Sequence, residues 1–243
     1  MQSQMRYLTM VLLLGAMLAC SPRESDRLPS VPAVAHAPLA VDGYLQDWAA
    51  LDTVFEVSDF HSPWRATPFG PTRFRAIADS AWLYFNFEVA DSLLVALPFA
   101  QESDVASGDR VEIFLSADST LGNYYCLEMG PRGDVLDYRA AYYRQFDDTW
   151  DLPALAVATQ ATTGGYVVEG RIPLRFLRGL SEDIPPTGTF TLYMGLYRAE
   201  YDKAHTEADP VQWLTWIDPN TADPDFHVGA SFHPIQIQEP ESR

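Results

Sequence analysis

The sequence predicts an all-β protein, an antiparallel β-sandwich of jelly-roll type with short peripheral helices. Three observations predict it. From Leu39 onward, apolar residues recur mostly with a period of two. Short turn sequences separate these runs, such as "DSA" before Trp82 and "GPRGD" before Val135. The 18 prolines and 14 glycines are spread along the chain, which suits many turns.

The elements follow in order. Strands are expected over residues 72–78 and 82–89, joined as a hairpin. In the second, Phe85, Phe87 and Val89 share one face, and Tyr84, Asn86 and Glu88 the other. Residues 110–116 place Val111, Ile113 and Leu115 opposite Glu112 and Phe114. Further strands are expected over 124–129, 135–138, 155–159, 166–172, 189–198 and 232–237. Helical signals are short: residues 45–51, and "PLRFLRGL" from Pro173, whose proline suits a first turn. Several strands are apolar or aromatic on both faces. Tyr124 and Cys126 oppose Tyr125, Leu127 and Met129, while Tyr193 and Tyr197 oppose Leu192, Met194 and Leu196. A sandwich sheet normally leaves one face wet. Either a ligand or a loop such as 91–109 is therefore expected over the second face.

Composition bounds the function. The 243 residues include 16 basic and 33 acidic ones, a formal charge of −17. That balance argues against a nucleic-acid groove, which needs cations to displace counterions, and against a polybasic membrane surface. Neutral ligands such as sugars remain compatible. Lys203 is the only lysine. With 47% apolar residues the chain can build a large core.

The first residues read as an address. Arg6 precedes a mainly apolar run over 7–19, too short to span a bilayer but right for a signal h-region. The run ends in "MLAC", which resembles the lipobox of bacterial lipoproteins. The resemblance implies a signal peptide over 1–19 and lipidation of Cys20. Ser21 after the cysteine, in place of Asp, implies sorting to the outer membrane. Residues 20–38, rich in proline, read as a tether, 39–238 as one domain, and 239–243 as a tail. Cys126 is then left without a disulfide partner and reads as a small buried hydrophobe.

A series of motifs carries a second resemblance: "LAVDGYLQDWAAL" from Leu39, "SGDRVEIFLS" from Ser107, "NYYCLEMGPRGDVLD" from Asn123, "YMGLYRAE" from Tyr193 and "WLTWIDPNTADPDFHVGASF" from Trp213. In this order and spacing they resemble the family 9-like carbohydrate-binding modules of exported bacterial proteins. The resemblance implies a sandwich that binds glycans without catalysis, often with structural calcium, beside other envelope glycan-processing proteins. It implies that Glu112 contacts the sugar and that Trp216 forms an aromatic wall. The family's second aromatic precedes the acid; here that stretch is "SDVASGD", and the segment around Trp64 is expected to replace it. Arg198 is expected to pair with Glu112, and Tyr124 to join the site. Trp150 and Trp213 are further loop aromatics, whereas Trp48 and Trp82 are expected in the core. Asp91, Asp104 and Asp109 border the loop before Glu112 and are the expected calcium ligands, with hard oxygen donors suited to that ion.

Other readings compete. No "GxSxG", "HExxH" or phosphate-binding glycine loop is present, so a glycoside hydrolase would rest on paired carboxylates alone. A related sandwich binds haem in electron-transfer subunits, and Met129, Met194 and Lys203 are raw material for axial ligands. A scaffolding or adhesion lipoprotein is the third alternative.

Overall fold

The computed structural model describes residues 27–37, 39–96, 98–180, 188–201 and 211–240. Cys20 and the signal segment, together with Lys203, lie outside the described residues. Two sheets face each other across one core. The larger comprises β1 (Ser30–Val31), β5 (Arg110–Ser116), β6 (Tyr124–Met129), β7 (Val135–Ala141), β8 (Gln145–Asp147), β11 (Phe190–Tyr201), β12 (Val211–Thr215) and β13 (His233–Ile237). Its order is β1-β13-β11-β5-β6-β7-β8, with β12 also on β11. The smaller sheet is β2 (Phe55–Val57), β3 (Thr72–Ala78), β4 (Trp82–Ala90), β10 (Gly165–Pro173) and β9 (Ala156–Thr162). All pairings between these strands are antiparallel except β1 with β13.

Residue parity builds the core. Val111, Ile113 and Leu115 of β5 point inward beside Leu127, Met194 and Leu196, toward Phe74, Phe85, Phe87 and Val168 of the smaller sheet. Each such fully buried side chain contributes roughly 1.5–3 kcal/mol. Strand β11 is long enough to pair twice along one edge. Its first half meets β13 and its second half meets β12, while β5 runs along its other edge.

Several expectations need correction. The tether does not reach 38. Ser30 and Val31 pair with Gln236 and Ile237, Val31 is fully buried, and Val34 donates to the Ala78 carbonyl. Alternating apolar residues let this proline-rich stretch serve as a sheet edge, where proline is tolerated. The helix expected over 45–51 is only a 3-10 turn, Trp48–Ala50, capped by the Asp47 carboxylate; the segment is too short to nucleate more. Trp48 is buried as expected, in a hydrophobic cluster on the outer face of the smaller sheet, and donates to Glu169 at 2.6 Å. The helix after Pro173 is present as α1 (Leu174–Arg178). Strands β1, β2, β8 and β12 are additional to the expected set.

Candidate functional site

The outward face of the larger sheet is where polar side chains meet aromatic rings. Paired residues in an antiparallel ladder share a face. Trp213, Ala199 and Arg110 thus form one row, and Tyr197, Glu112, Glu128 and Leu136 the next. Beyond them lie Phe114, Cys126 and Tyr138. Gly195 occupies this face because Tyr197 lies along the strand above it. A Cβ there would stand 1.9 Å from the Tyr197 hydroxyl.

Arg110, Glu112 and Glu128 form a buried charged floor. The Arg110 Nε–H donates to Glu128 at 2.7 Å, and Tyr138 donates its hydroxyl to the other Glu128 oxygen at 2.9 Å. Glu112 Oε1 lies 2.9 Å from the same Arg110 nitrogen, yet it accepts no hydrogen bond among the described residues. Burial, then the neighbouring Glu128 charge, pushes the Glu112 carboxyl up to about 8, against the pull of Arg110. Burial opposes the charge on Arg110, but Glu128 and Glu112 outweigh it and raise its pKa further. The guanidinium stands over the Trp213 ring at 5.0 Å.

Loop residues cover the rest of this face. The Phe226 ring stacks on Tyr197 at 4.0 Å, and His227 sits 5.2 Å from Phe114. Burial and the Arg144 charge lower His227 to about 4, so its ring is neutral near pH 7. Loop 91–109 covers part of this face, as expected, with Val95 packed against Ala199, Tyr201 and Trp213; the rest is covered by loop 222–232. Between it and the floor remains a cleft of about 200 Å³, lined by Arg110, Glu112, Glu128, Arg144, Trp213 and Asp225, among others. A second cleft of about 320 Å³ adjoins it, with Trp64, Arg65 and Asp223 in its walls. The two clefts share Trp213 and Pro224. Another hollow of similar size lies on the smaller sheet, but it has no tryptophan and its Arg73 and Glu88 already pair at 3.5 Å.

The expected residues divide. Glu112 is in the floor and Trp64 in the adjoining cleft, donating its indole N–H to the Thr221 carbonyl at 2.9 Å. Tyr124 is on the same face but fully buried beneath the loop, with its hydroxyl 3.0 Å from His227 Nδ1. Arg198 and Trp216 are not in the site. Tyr197 pairs with Glu112, so Arg198 must point to the opposite face. There it is fully buried, donating to the Gly70 and Ala90 carbonyls, Thr72 and Glu200. Trp216 falls on the core side by the same parity, against Phe55 at 5.9 Å and His233 at 5.4 Å. Trp150 packs on Tyr125 and Phe176. Arg110 and Trp213 take the places expected of Arg198 and Trp216. Alternation signalled both, because Arg110 shares parity with Glu112, and two tryptophans three apart on a strand face opposite ways.

The expected metal ligands also regroup. Asp91, Asp109 and Glu200 place one oxygen each within 4.8 Å of one another. Asp104 is elsewhere, accepting the Ala100 and Gln101 amides at 2.8 and 3.0 Å. The error came from reading loop proximity in sequence as proximity in space. Asp91 Oδ2, Tyr166 OH and Arg198 Nε are buried here without a hydrogen-bond partner among the described residues.

Comparison with known proteins agrees with this architecture. A family described as carbohydrate family 9 binding domain-like matches residues 42–235. The chain belongs to that family. Nothing among curated proteins matches this member. A crystal structure from Bacteroides uniformis ATCC 8492, provisionally described as a carbohydrate-binding protein, is 17% identical to the family 9-like chain. The alignment has a TM-score of 0.67 and covers 86% of this chain and 98% of the other. A family 9 module from Caldicellulosiruptor kristjanssonii in complex with cellotriose is also 17% identical. It superposes with a TM-score of 0.57 over 88% of this chain and 95% of its own. A family 9 module of the same organism in complex with glucose is 21% identical, with a TM-score of 0.52 over 87% and 97%.

Proposed function

We propose that this domain is a non-catalytic carbohydrate-binding module that receives a neutral glycan in the Glu112 cleft. One observation carries the reading: a buried carboxyl with an unused acceptor, beside an indole ring, on the floor of a cleft. A pyranose presents a hydroxyl rim and an apolar C–H face. Glu112, Glu128 and Arg110 satisfy the rim, and Trp213 covers the face. A sugar lacking the matching hydroxyl leaves that buried acceptor unpaired, which is the source of selectivity. The net charge of −17 favours neutral over acidic glycans. Non-catalytic binding is supported by the family, which is described as a binding domain.

The same proposal includes display at the bacterial outer membrane through a lipidated Cys20, with other glycan-processing envelope proteins as partners. It also includes structural calcium on Asp91, Asp109 and Glu200. Three carboxylates beside one Arg198 leave two negative charges, which a divalent cation neutralises, and oxygen donors fit calcium. A glycan array probed with the purified protein, in calcium and then in excess chelator, tests both parts. Binding to neutral glycans is expected in both conditions, with a melting temperature several degrees lower in chelator. Melting unchanged by chelator removes the calcium site. A blank array removes the carbohydrate reading and favours a scaffolding lipoprotein.

A further inference from the structure

We propose that the carboxylate site of Asp91, Asp109 and Glu200 governs the Glu112 cleft: a divalent cation held there tightens sugar binding through the loop over 91–109, without touching the sugar. This inference rests on the carbohydrate reading above and names the regulation of that site.

The site has open valences. Its three carboxylates each place an oxygen within 4.8 Å of the others. Arg198 pairs with Glu200 only, so two negative charges stay uncompensated among the described residues. Asp91 is 8% exposed, and its Oδ2 accepts no hydrogen bond among those residues. The Tyr166 side chain is 1% exposed. Its hydroxyl also lacks a partner and stands amid the charges of Arg198, Asp109, Glu200 and Asp91. Leaving such buried oxygens unpaired is costly, and a cation shared by the cluster satisfies them. The cluster also joins the two sheets. Asp91 follows β4 of the smaller, while Asp109 precedes β5 and Glu200 lies on β11 of the larger.

The loop links this site to the cleft. Asp91 opens it and Asp109 closes it. Asp91 accepts the Leu93 amide at 2.8 Å; Asp109 accepts the Val95 amide, and the Tyr201 amide at 2.7 Å. The same loop serves the cleft. Val95 backs Trp213. The Ala106 and Gly108 carbonyls accept from the Arg110 guanidinium at 3.1 and 3.4 Å, and Ala106 also accepts from the Tyr201 hydroxyl at 2.9 Å. Arg110 in turn holds Glu112 and Glu128 and stands over the Trp213 ring.

Uncompensated, the carboxylates repel one another and favour a looser loop. Arg110 then loses its carbonyls and Trp213 its backing. A cation favours the closed loop, and the closed loop is the arrangement that shapes the cleft. Two ligands that favour one arrangement raise each other's affinity by the same factor.

The indole proton–nitrogen signals test this without sugar. Calcium titrated into the chelator-stripped protein should move the Trp213 signal with saturation and leave those of Trp48 and Trp150 in place. Calorimetric titrations with cellotriose, xylotriose, mannotriose and maltotriose follow. For the sugar that binds, affinity is expected to be about tenfold higher in calcium than in chelator, and calcium affinity about tenfold higher with that sugar bound. Asp91→Asn in calcium should bind sugar as the wild type does in chelator. Calcium binding that leaves both Trp213 and the sugar affinity unchanged overturns the coupling, with the carbohydrate reading still in place. Absence of calcium binding overturns it likewise. Absence of sugar binding in all four series overturns the carbohydrate reading and this inference with it.

Discussion

Replacing Trp216 with alanine is expected to destabilise the protein by about 3 kcal/mol. That is the low end of the range for a core tryptophan, because the ring is partly exposed. For a domain of this size the melting temperature falls by roughly 6–12 °C. The ring packs on Phe55 and against His233 at the edge of the inter-sheet core, and truncation leaves a cavity that neighbouring strands cannot close. Glycan affinity should be unchanged below the melting transition. Trp213→Ala is expected to do the reverse. It removes the platform over the Glu112 cleft and lowers affinity sharply, at smaller cost to stability. Paired thermal melts and calorimetric titrations separate the two. Lost affinity in Trp216→Ala with a normal melt would move the site to the other face.

The second large effect lies in the pH dependence of stability. In the folded protein the Glu112 carboxyl is held at about 8, above its ordinary value of 4.5. Between those values the folded state keeps a proton that the unfolded state has released. Stability therefore falls as pH rises from about 4.5 through about 8, and levels off above. A tenfold difference in proton affinity between the two states is worth about 1.36 kcal/mol, so the loss is of order 3–5 kcal/mol. Glu112→Gln keeps the neutral shape at every pH. The variant should melt near the wild type at pH 5 and several degrees higher at pH 8.5. In excess chelator, Asp109, raised to about 7 by burial, and Glu200, raised to about 6 by burial, leave a residual slope in both proteins. Binding near pH 7 should be largely retained, since glutamine resembles the protonated acid present there. Parallel melting curves across pH 5–8.5 would contradict a protonated Glu112.

The fold was legible because alternation is a local signal. Phe85, Phe87 and Val89 had to face one way, and so did Val111, Ile113 and Leu115; both sets line the inter-sheet core. Short strands such as β2, β8 and β12 offer too few residues for a period to show. The candidate site was half legible. The family resemblance singled out Glu112, which lies in the floor of the cleft, and Trp64 borders the adjoining one. The same resemblance misplaced Trp216, and Arg198 was placed by its polar type at the end of a strand, although alternation along β11 and β12 put both on the core side. Glu200 joins Asp91 and Asp109 only through sheet pairing, because Ala199 lies opposite Arg110 across β11 and β5. Nothing local announces such a contact.

The central claim is that sugar binds on the outward face of the larger sheet, over Glu112. The six tryptophans, one indole N–H each, report on it directly. A proton–nitrogen correlation spectrum should be followed while the tightest-binding oligosaccharide is titrated in. The account predicts that the Trp213 and Trp64 signals shift with saturation, while those of Trp48, Trp82, Trp150 and Trp216 stay in place. A saturating shift of Trp216 with Trp213 unmoved would contradict it.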